Sequence, residues 1–451
     1  WEDQGWNSIK VGVFDRSESI NYLLTVTKSD DRDAANALAE RLGDLPLAIA
    51  QAAATARNKD LSLARYLQQL DSRCEELVIR PIPGDEYTVD AVKALLMAVK
   101  DTIEGLEGNT KETAQRQLGA LALLAESGVP TRWLDPTVEQ LDDDESPDTQ
   151  RDTDEDAHDA LTELIHRSIV QQSTDKATTM LHRLQAQALR ESWNEQDNKE
   201  ALESAAALLR SVSISKFSRN ATALRRRETL DLIEQLRAIG EQTHSQLLFT
   251  LRTITASLFQ GFSHAHDLGL ACAALTLEIS ANSLENTPAL DPHERLNLHI
   301  CLAQAYQAAG NLPEAIYLYE QVLRDTPPIV GKYHPNTLNT RISLASAYQE
   351  VGDIHKAIYR YKQVYKDCIK ALGENHPETL RSRINLAYAY QEAGDVDKAI
   401  SSYEQLLQDC TRILGQEHPH TLATRNNLAH SYALAGDIPK ALEHWLKTYA
   451  D

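Results

Sequence analysis

Few residues in this 451-residue chain have the type and spacing that chemistry needs. His264 and His266, with Cys272 nearby, come nearest to a metal-ligand set, but histidines at i and i+2 of a helix point apart. Asp142–Asp159 holds ten carboxylates and one arginine, yet lacks the Asp/Gly alternation and closing glutamate of a calcium loop. It is expected to be a solvated loop. No serine or cysteine has a histidine and a carboxylate in supporting context. No Gly-x-x-x-x-Gly-Lys-Ser/Thr phosphate loop occurs. Arg225-Arg226-Arg227 is a short basic spot that fits a solvated helix face. The expectation is therefore no catalytic residue, no metal and no enzyme within this chain.

Composition narrows the partners. Asp and Glu outnumber Lys and Arg by 66 to 45, a net charge of −21. Such a surface repels phosphate, so nucleic acid is not an expected ligand. No apolar run approaches the ~18 residues of a membrane span, and Trp1–Lys10 lack an apolar signal segment. Cys74, Cys272, Cys301, Cys368 and Cys410 form no Cys-x-x-Cys pair, which fits reduced thiols and a cytoplasmic location. With only 18 Gly and 15 Pro, and Ala, Leu, Gln, Glu and Arg dominant, the chain should be mainly α-helical. Its length suggests two to four domains.

The elements that must position any site are clearest at the C-terminal end. A shift of 42 residues superposes His334-Pro335-x-Thr337-Leu338 on His376-Pro377-x-Thr379-Leu380 and His418-Pro419-x-Thr421-Leu422. Leu344-Ala345, Tyr348, Gly352, Ala357 and Tyr361 recur in the same way, ending at Trp445 in the last copy. An earlier copy keeps Leu302-Ala303, Tyr306, Gly310, Ala315 and Tyr319. Each copy is a helical hairpin. Pro starts helix A, Leu and Tyr make its apolar stripe, Gly ends it, and Asn311, Asp353, Asp395 or Asp437 caps helix B. One hairpin cannot bury both faces, so the hairpins must stack.

Over about 291–451 this pattern resembles the tetratricopeptide repeat, in the 42-residue form seen in kinesin light chains and bacterial signalling proteins. The resemblance implies a right-handed superhelix whose helices A line a groove for a protein or peptide. Carried onto this chain, the groove positions are Arg341, Gln349, Arg381, Arg383, Tyr388, Gln391, Arg425, Asn426 and His430. Arg341, Arg383 and Arg425 share one register. They would form a basic ladder for an acidic or phosphate-bearing peptide, unless each pairs with a glutamate of the neighbouring hairpin.

The N-terminal half carries a second resemblance. Ala39-Glu40-Arg41-Leu42-Gly43-Asp44-Leu45-Pro46-Leu47-Ala48 looks like the Gly-Leu-Pro-Leu-Ala motif of NB-ARC domains, the nucleotide modules of STAND switch ATPases. Val11–Phe14 would be the linking strand, with Trp1 or Trp6 near the end of the nucleotide-binding core. Residues 90–193 fit the winged-helix subdomain that follows. Leu181-His182-Arg183-Leu184-Gln185 resembles its Met-His-Asp segment in the bacterial form, with Arg183 in place of the aspartate. The resemblance implies that Leu45, Pro46 and His182 contact ADP only together with an upstream domain. ADP/ATP with Mg would then belong to the full-length protein, with no cofactor in this chain.

The expected organisation is therefore the end of an NB-ARC core and an ARC1-like helical subdomain (1–80), a winged helix (81–194), a helical linker with degenerate repeats (195–290) and the repeats (291–451). The expected function is the sensor region of a STAND switch. The solenoid would bind a ligand or partner and control nucleotide-driven activation and homo-oligomerisation, in bacterial immunity or transcription control. The alternative is a stand-alone adaptor binding acidic peptides.

Overall fold

The computed structural model describes residues 13–74, 89–139, 148–212, 222–241, 248, 251–285, 287, 290–329 and 331–450. Two compact units result, residues 1–257 and 258–451.

The first unit opens with α1 (Arg16–Thr27), α2 (Arg32–Arg41), α3 (Pro46–Asn58) and α4 (Leu63–Cys74). Asp15 caps α1, and its N–H donates to Glu18 Oε2 at 2.9 Å. Pro46 is the first residue of α3, where a missing N–H costs nothing. Arg16 holds the preceding turn through Asp44 at 2.8 Å. Leu23, Leu38, Leu42, Ile49, Leu63 and Leu70 are fully buried in one core. Of the expected linking strand, residues 11 and 12 lie outside the described residues, as do Trp1 and Trp6. Val13 and Phe14 are not in a strand.

There follow α5 (Val89–Glu104), α6 (Gly108–Leu123), β1 (Val129–Pro130), α7 (Thr131–Leu134), α8 (Asp148–His166), β2 (Val170–Gln172), β3 (Thr178–Leu181) and α9 (Arg183–Ser192). The strands form an antiparallel sheet in the order β1-β3-β2, with Val129 opposite Thr179 and Gln171 opposite Met180. From α6 to β3 the described elements run helix, strand, two helices and a hairpin. Gly128 has φ +110°, and a Cβ there would stand 2.5 Å from the Thr178 side chain. The acidic stretch needs correction. Residues 148–159 are not loop but the first part of α8. Residues 142–147 lie outside the described residues.

Helices α10 (Glu195–Ser211) and α11 (Thr222–Glu241) belong to this unit. Gln235 of α11 accepts from the Ala125 N–H and donates to the Gly128 carbonyl, both at 2.9 Å. Arg132 bonds Glu228 at 2.5 Å and also meets Asp231. The stretch 195–290 is thus divided, with the boundary inside α12 (Arg252–Asp267).

The second unit continues with α13 (Ala271–Leu275), α14 (Glu278–Glu285), α15 (Pro292–Ala308), α16 (Leu312–Ile329), α17 (Pro335–Glu350), α18 (Ile354–Leu372), α19 (Pro377–Glu392), α20 (Val396–Leu414), α21 (Pro419–Leu434) and α22 (Ile438–Ala450). From α15 onward each helix packs on the next. Ala303, Ala315, Tyr319, Ala345, Ala357, Ala387, Ala399 and Tyr403 are fully buried at the contacts.

The backbone bonds repeat with the sequence. The N–H groups of Asn336, Glu378 and His420 donate to Nδ1 of His334, His376 and His418 at 3.3, 3.1 and 3.1 Å. The hydroxyls of Thr337, Thr379 and Thr421 donate to the carbonyls of Gly331, Gly373 and Gly415 at 2.9, 2.8 and 2.7 Å. Histidine therefore caps α17, α19 and α21, whereas Asp291 caps α15, and threonine ties each of those three helices to the end of the preceding hairpin. Gly310, Gly352, Gly394 and Gly436 all have positive φ, which glycine adopts without a Cβ clash. The residue after each donates its N–H to the carbonyl of Tyr306, Tyr348, Tyr390 or Tyr432 at 2.9 Å. Leu270 makes the same bond to Ala265 at 2.8 Å. The hairpin geometry therefore begins at α12, one hairpin before residue 291.

Candidate partner-binding groove

The three arginines expected as an open ladder are held inside their own hairpins. Arg341 and Arg383 each precede a buried leucine by three residues and a tyrosine by seven, so they share the helix face turned towards helix B. Arg341 Nη1 donates to Asp367 Oδ2 at 2.7 Å, and Arg383 Nη1 to Asp409 Oδ2 at 2.8 Å. Each acceptor lies 26 residues after its arginine. Arg425 is buried, and its Nη1 donates to the Lys447 carbonyl at 3.2 Å. The residue that continues the series, Asp451, lies outside the described residues. Partial desolvation raises the pKa of Asp409, but hydrogen bonds from Arg383 and Arg412 outweigh it and hold the carboxyl below its ordinary value.

The other expected positions fall on a different face of helix A. Tyr388 and His430 occupy one register and are exposed. Asn426 is exposed and accepts from Trp445 Nε1 at 3.1 Å. Arg381 pairs with Glu378 at 2.6 Å and reaches Asn339, one repeat upstream, at 2.5 Å. Gln349 is half-buried. Gln391 is buried and accepts the Ser431 hydroxyl at 2.6 Å. In the same register Gln307 donates to Glu350 at 2.6 Å and accepts from Tyr319 at 3.0 Å. Amides, hydroxyls and an imidazole thus dominate this face, with Arg381 already paired.

A second periodic network links lysine, tyrosine and glutamate side chains of successive hairpins. Lys356, Lys398 and Lys440 lie 3.8, 5.8 and 4.9 Å from the ring centres of Tyr348, Tyr390 and Tyr432. Tyr348 donates to Glu320 at 2.5 Å, and Tyr432 to Glu404, in each case 28 residues earlier. Burial and, next, Glu404 push the Tyr432 hydroxyl up to about 12. At Tyr390 the corresponding residue is Lys362, 5.3 Å from the ring. The 28-residue offset between tyrosine and glutamate was the available signal.

In the first unit, Leu45 is buried in the same core as Leu184, two residues beyond His182. Pro46 begins the helix that supplies Ala48, Ile49, Ala52 and Ala53 to that core. His182 caps α9, its Nδ1 accepting the Leu184 N–H at 3.2 Å. A capping Nδ1 must be unprotonated, which leaves Nε2 as the N–H donor of the neutral ring. Desolvation, and then the charge of Arg183, hold the imidazole below the ordinary histidine value.

Among the described residues, no group of three or more His, Cys, Asp and Glu is placed to hold a metal. No helix among them is long and apolar enough to cross a membrane.

Helix pairs stacked in chain order, each repeating the glycine turn and the same buried alanine contacts, define an α-solenoid. Residues 294–370 and 378–450 each match the tetratricopeptide repeat family, and this region of the chain belongs to it. Such repeats are scaffolds for protein–protein interaction. No curated protein matches the chain. Solved structures that resemble it include the Podosopora anserina kinesin light chain with nearly identical TPR-like repeats, at 31% identity over 43% of this chain and 93% of that one, TM-score 0.38. BtubC (BKLC) from P. vanneervenii is 21% identical over 49% of this chain and 90% of its own, TM-score 0.39. The apo form of RapI is 14% identical over 43% and 68%, TM-score 0.37.

Proposed function

We propose that this chain is the ARC-like, winged-helix and sensor region of a cytoplasmic STAND-type nucleotide switch. The tetratricopeptide solenoid captures a protein or peptide, and capture biases the switch. The observation that carries this reading is that two distant segments contribute to one core, each packing on α5. The turn and helix start at Leu45-Pro46 and the cap at His182 join one core through Leu45 and Leu184. These are the segments whose sequences resemble the two nucleotide-contacting motifs of NB-ARC proteins. The cap also supports the chemistry, because it fixes the tautomer in which Nε2–H can donate to a phosphate oxygen.

In the full-length protein, ADP with Mg would bridge an upstream phosphate-loop domain to Leu45, Pro46 and His182. A ligand that touches two subdomains only when they are apposed favours that arrangement. Exchange for ATP would release it and permit homo-oligomerisation, as a step in bacterial immunity or transcription control. The adaptor reading based on acidic peptides loses support, since Arg341 and Arg383 are already neutralised within their hairpins.

The test is nucleotide retention by the natural full-length polypeptide. The purified protein is denatured and the released nucleotide measured by chromatography. ADP bound to the wild type and reduced tenfold or more in His182→Ala supports the switch. Wild type without nucleotide, or equal content in the variant, refutes it.

A further inference from the structure

A cavity of about 170 Å³ opens on the helix-A face near the start of the solenoid. Phe262 and Ala265 of α12, Ala274 of α13, and Gln304 and Ala308 of α15 line it, with His266 at its edge. Its origin lies in two positions of the repeat. The residue that follows the cap of helix B is Leu312, Ile354, Val396 or Ile438 in the later hairpins, but Ala271 here. The residue two before the hairpin glycine is Glu350, Glu392 or Leu434 later on, but Ala308 here. One hairpin further on, the equivalent gap is bridged by Gln307 and Glu350 at 2.6 Å. His266 and Ala308 stand in those places and leave it open.

The chemistry of the walls is divided. Phe262, Ala265, Ala274 and Ala305 are buried and apolar, whereas Ser263 and His266 are exposed. Burial pushes the Cys301 thiol up to about 11, so this wall residue stays neutral. Gln304 shares the register of Ser346, Tyr388 and His430, so the cavity opens on the face where the groove residues lie. An apolar cavity of roughly 150 Å³ admits one benzene ring.

We propose that this cavity seats one bulky apolar side chain, phenylalanine or leucine, of a peptide lying along the groove. The polar groups at the rim meet its backbone, and the alanine-lined floor takes the side chain. The proposal rests on the reading of the solenoid as a peptide-binding groove.

The full chain is used to select binders from a random-peptide display library. Selected peptides are then measured against wild type, Ala308→Leu and Ala271→Ile. Both substitutions install residues that later hairpins already carry at the same positions, and melting curves confirm folding. The expected result is a shared Phe or Leu in the selected peptides. Replacing it by Ala, or filling the cavity in either variant, should weaken binding at least tenfold. Peptides that bind all three proteins equally overturn the cavity's role and leave the groove intact. Benzene that stabilises wild type but not Ala308→Leu, with peptides indifferent, assigns the cavity to a free apolar molecule and also overturns it. Selection of no peptide at all overturns the groove reading, and this proposal with it.

Discussion

Arg383 illustrates how a side chain with an apparent ligand-binding role is held by its own hairpin. Its partner Asp409 is about a third exposed, so the pair should contribute only ~0.5–1 kcal/mol in water. Arg383→Ala should cost about that amount at pH 7 in urea denaturation. The carboxyl of Asp409 is held below its ordinary value, so the contribution is present above the unfolded pKa of ~3.9 and vanishes as pH falls through the folded one. Wild type and variant should therefore converge near pH 2. A difference that persists there would show that packing, not charge, is lost. The Asp367 and Asp409 spacing was legible beforehand, since each lies 26 residues after an arginine. Its meaning was not, because only the packed hairpin shows which helix face each arginine occupies.

Each hairpin divides its work between polar ends and an aromatic centre. His376 caps α19, and Thr379 ties it to the Gly373 carbonyl. His376→Ala should cost ~1 kcal/mol, whereas His376→Asn should restore most of it, because asparagine supplies another acceptor. Equal loss in both would refute the capping role. At the centre Tyr403 is fully buried, while Tyr390 is only half-buried beneath Lys362 and Lys398. Tyr403→Ala should cost ~3–5 kcal/mol and Tyr390→Ala distinctly less. A reversed order would mean that the stacking contacts lie elsewhere. The helices and their glycine ends were readable from period and propensity. The threonine tie was not, and the tyrosine–glutamate bond showed only as a 28-residue offset, because each joins neighbouring hairpins whose contact exists only after stacking.

At the scale of the molecule the chain forms two units, divided within α12. Calorimetry should resolve two transitions, and Tyr403→Ala should lower only one of them. A single transition shifted as a whole would show that the units unfold together. The 42-residue repeat, the helix starts at His-Pro and the chain's acidity were determined by the sequence alone. They follow from local rules of capping, periodicity and charge that need no distant partner. Tertiary structure decided which polar groups remain available. It placed Arg341 and Arg383 against carboxylates, drew Leu45 and Leu184 into one core, carried the hairpin pattern back to α12 and left a cavity beside Ala308. The physical reason is that burial and ion pairing depend on what stands opposite, which the repeat period fixes only in part.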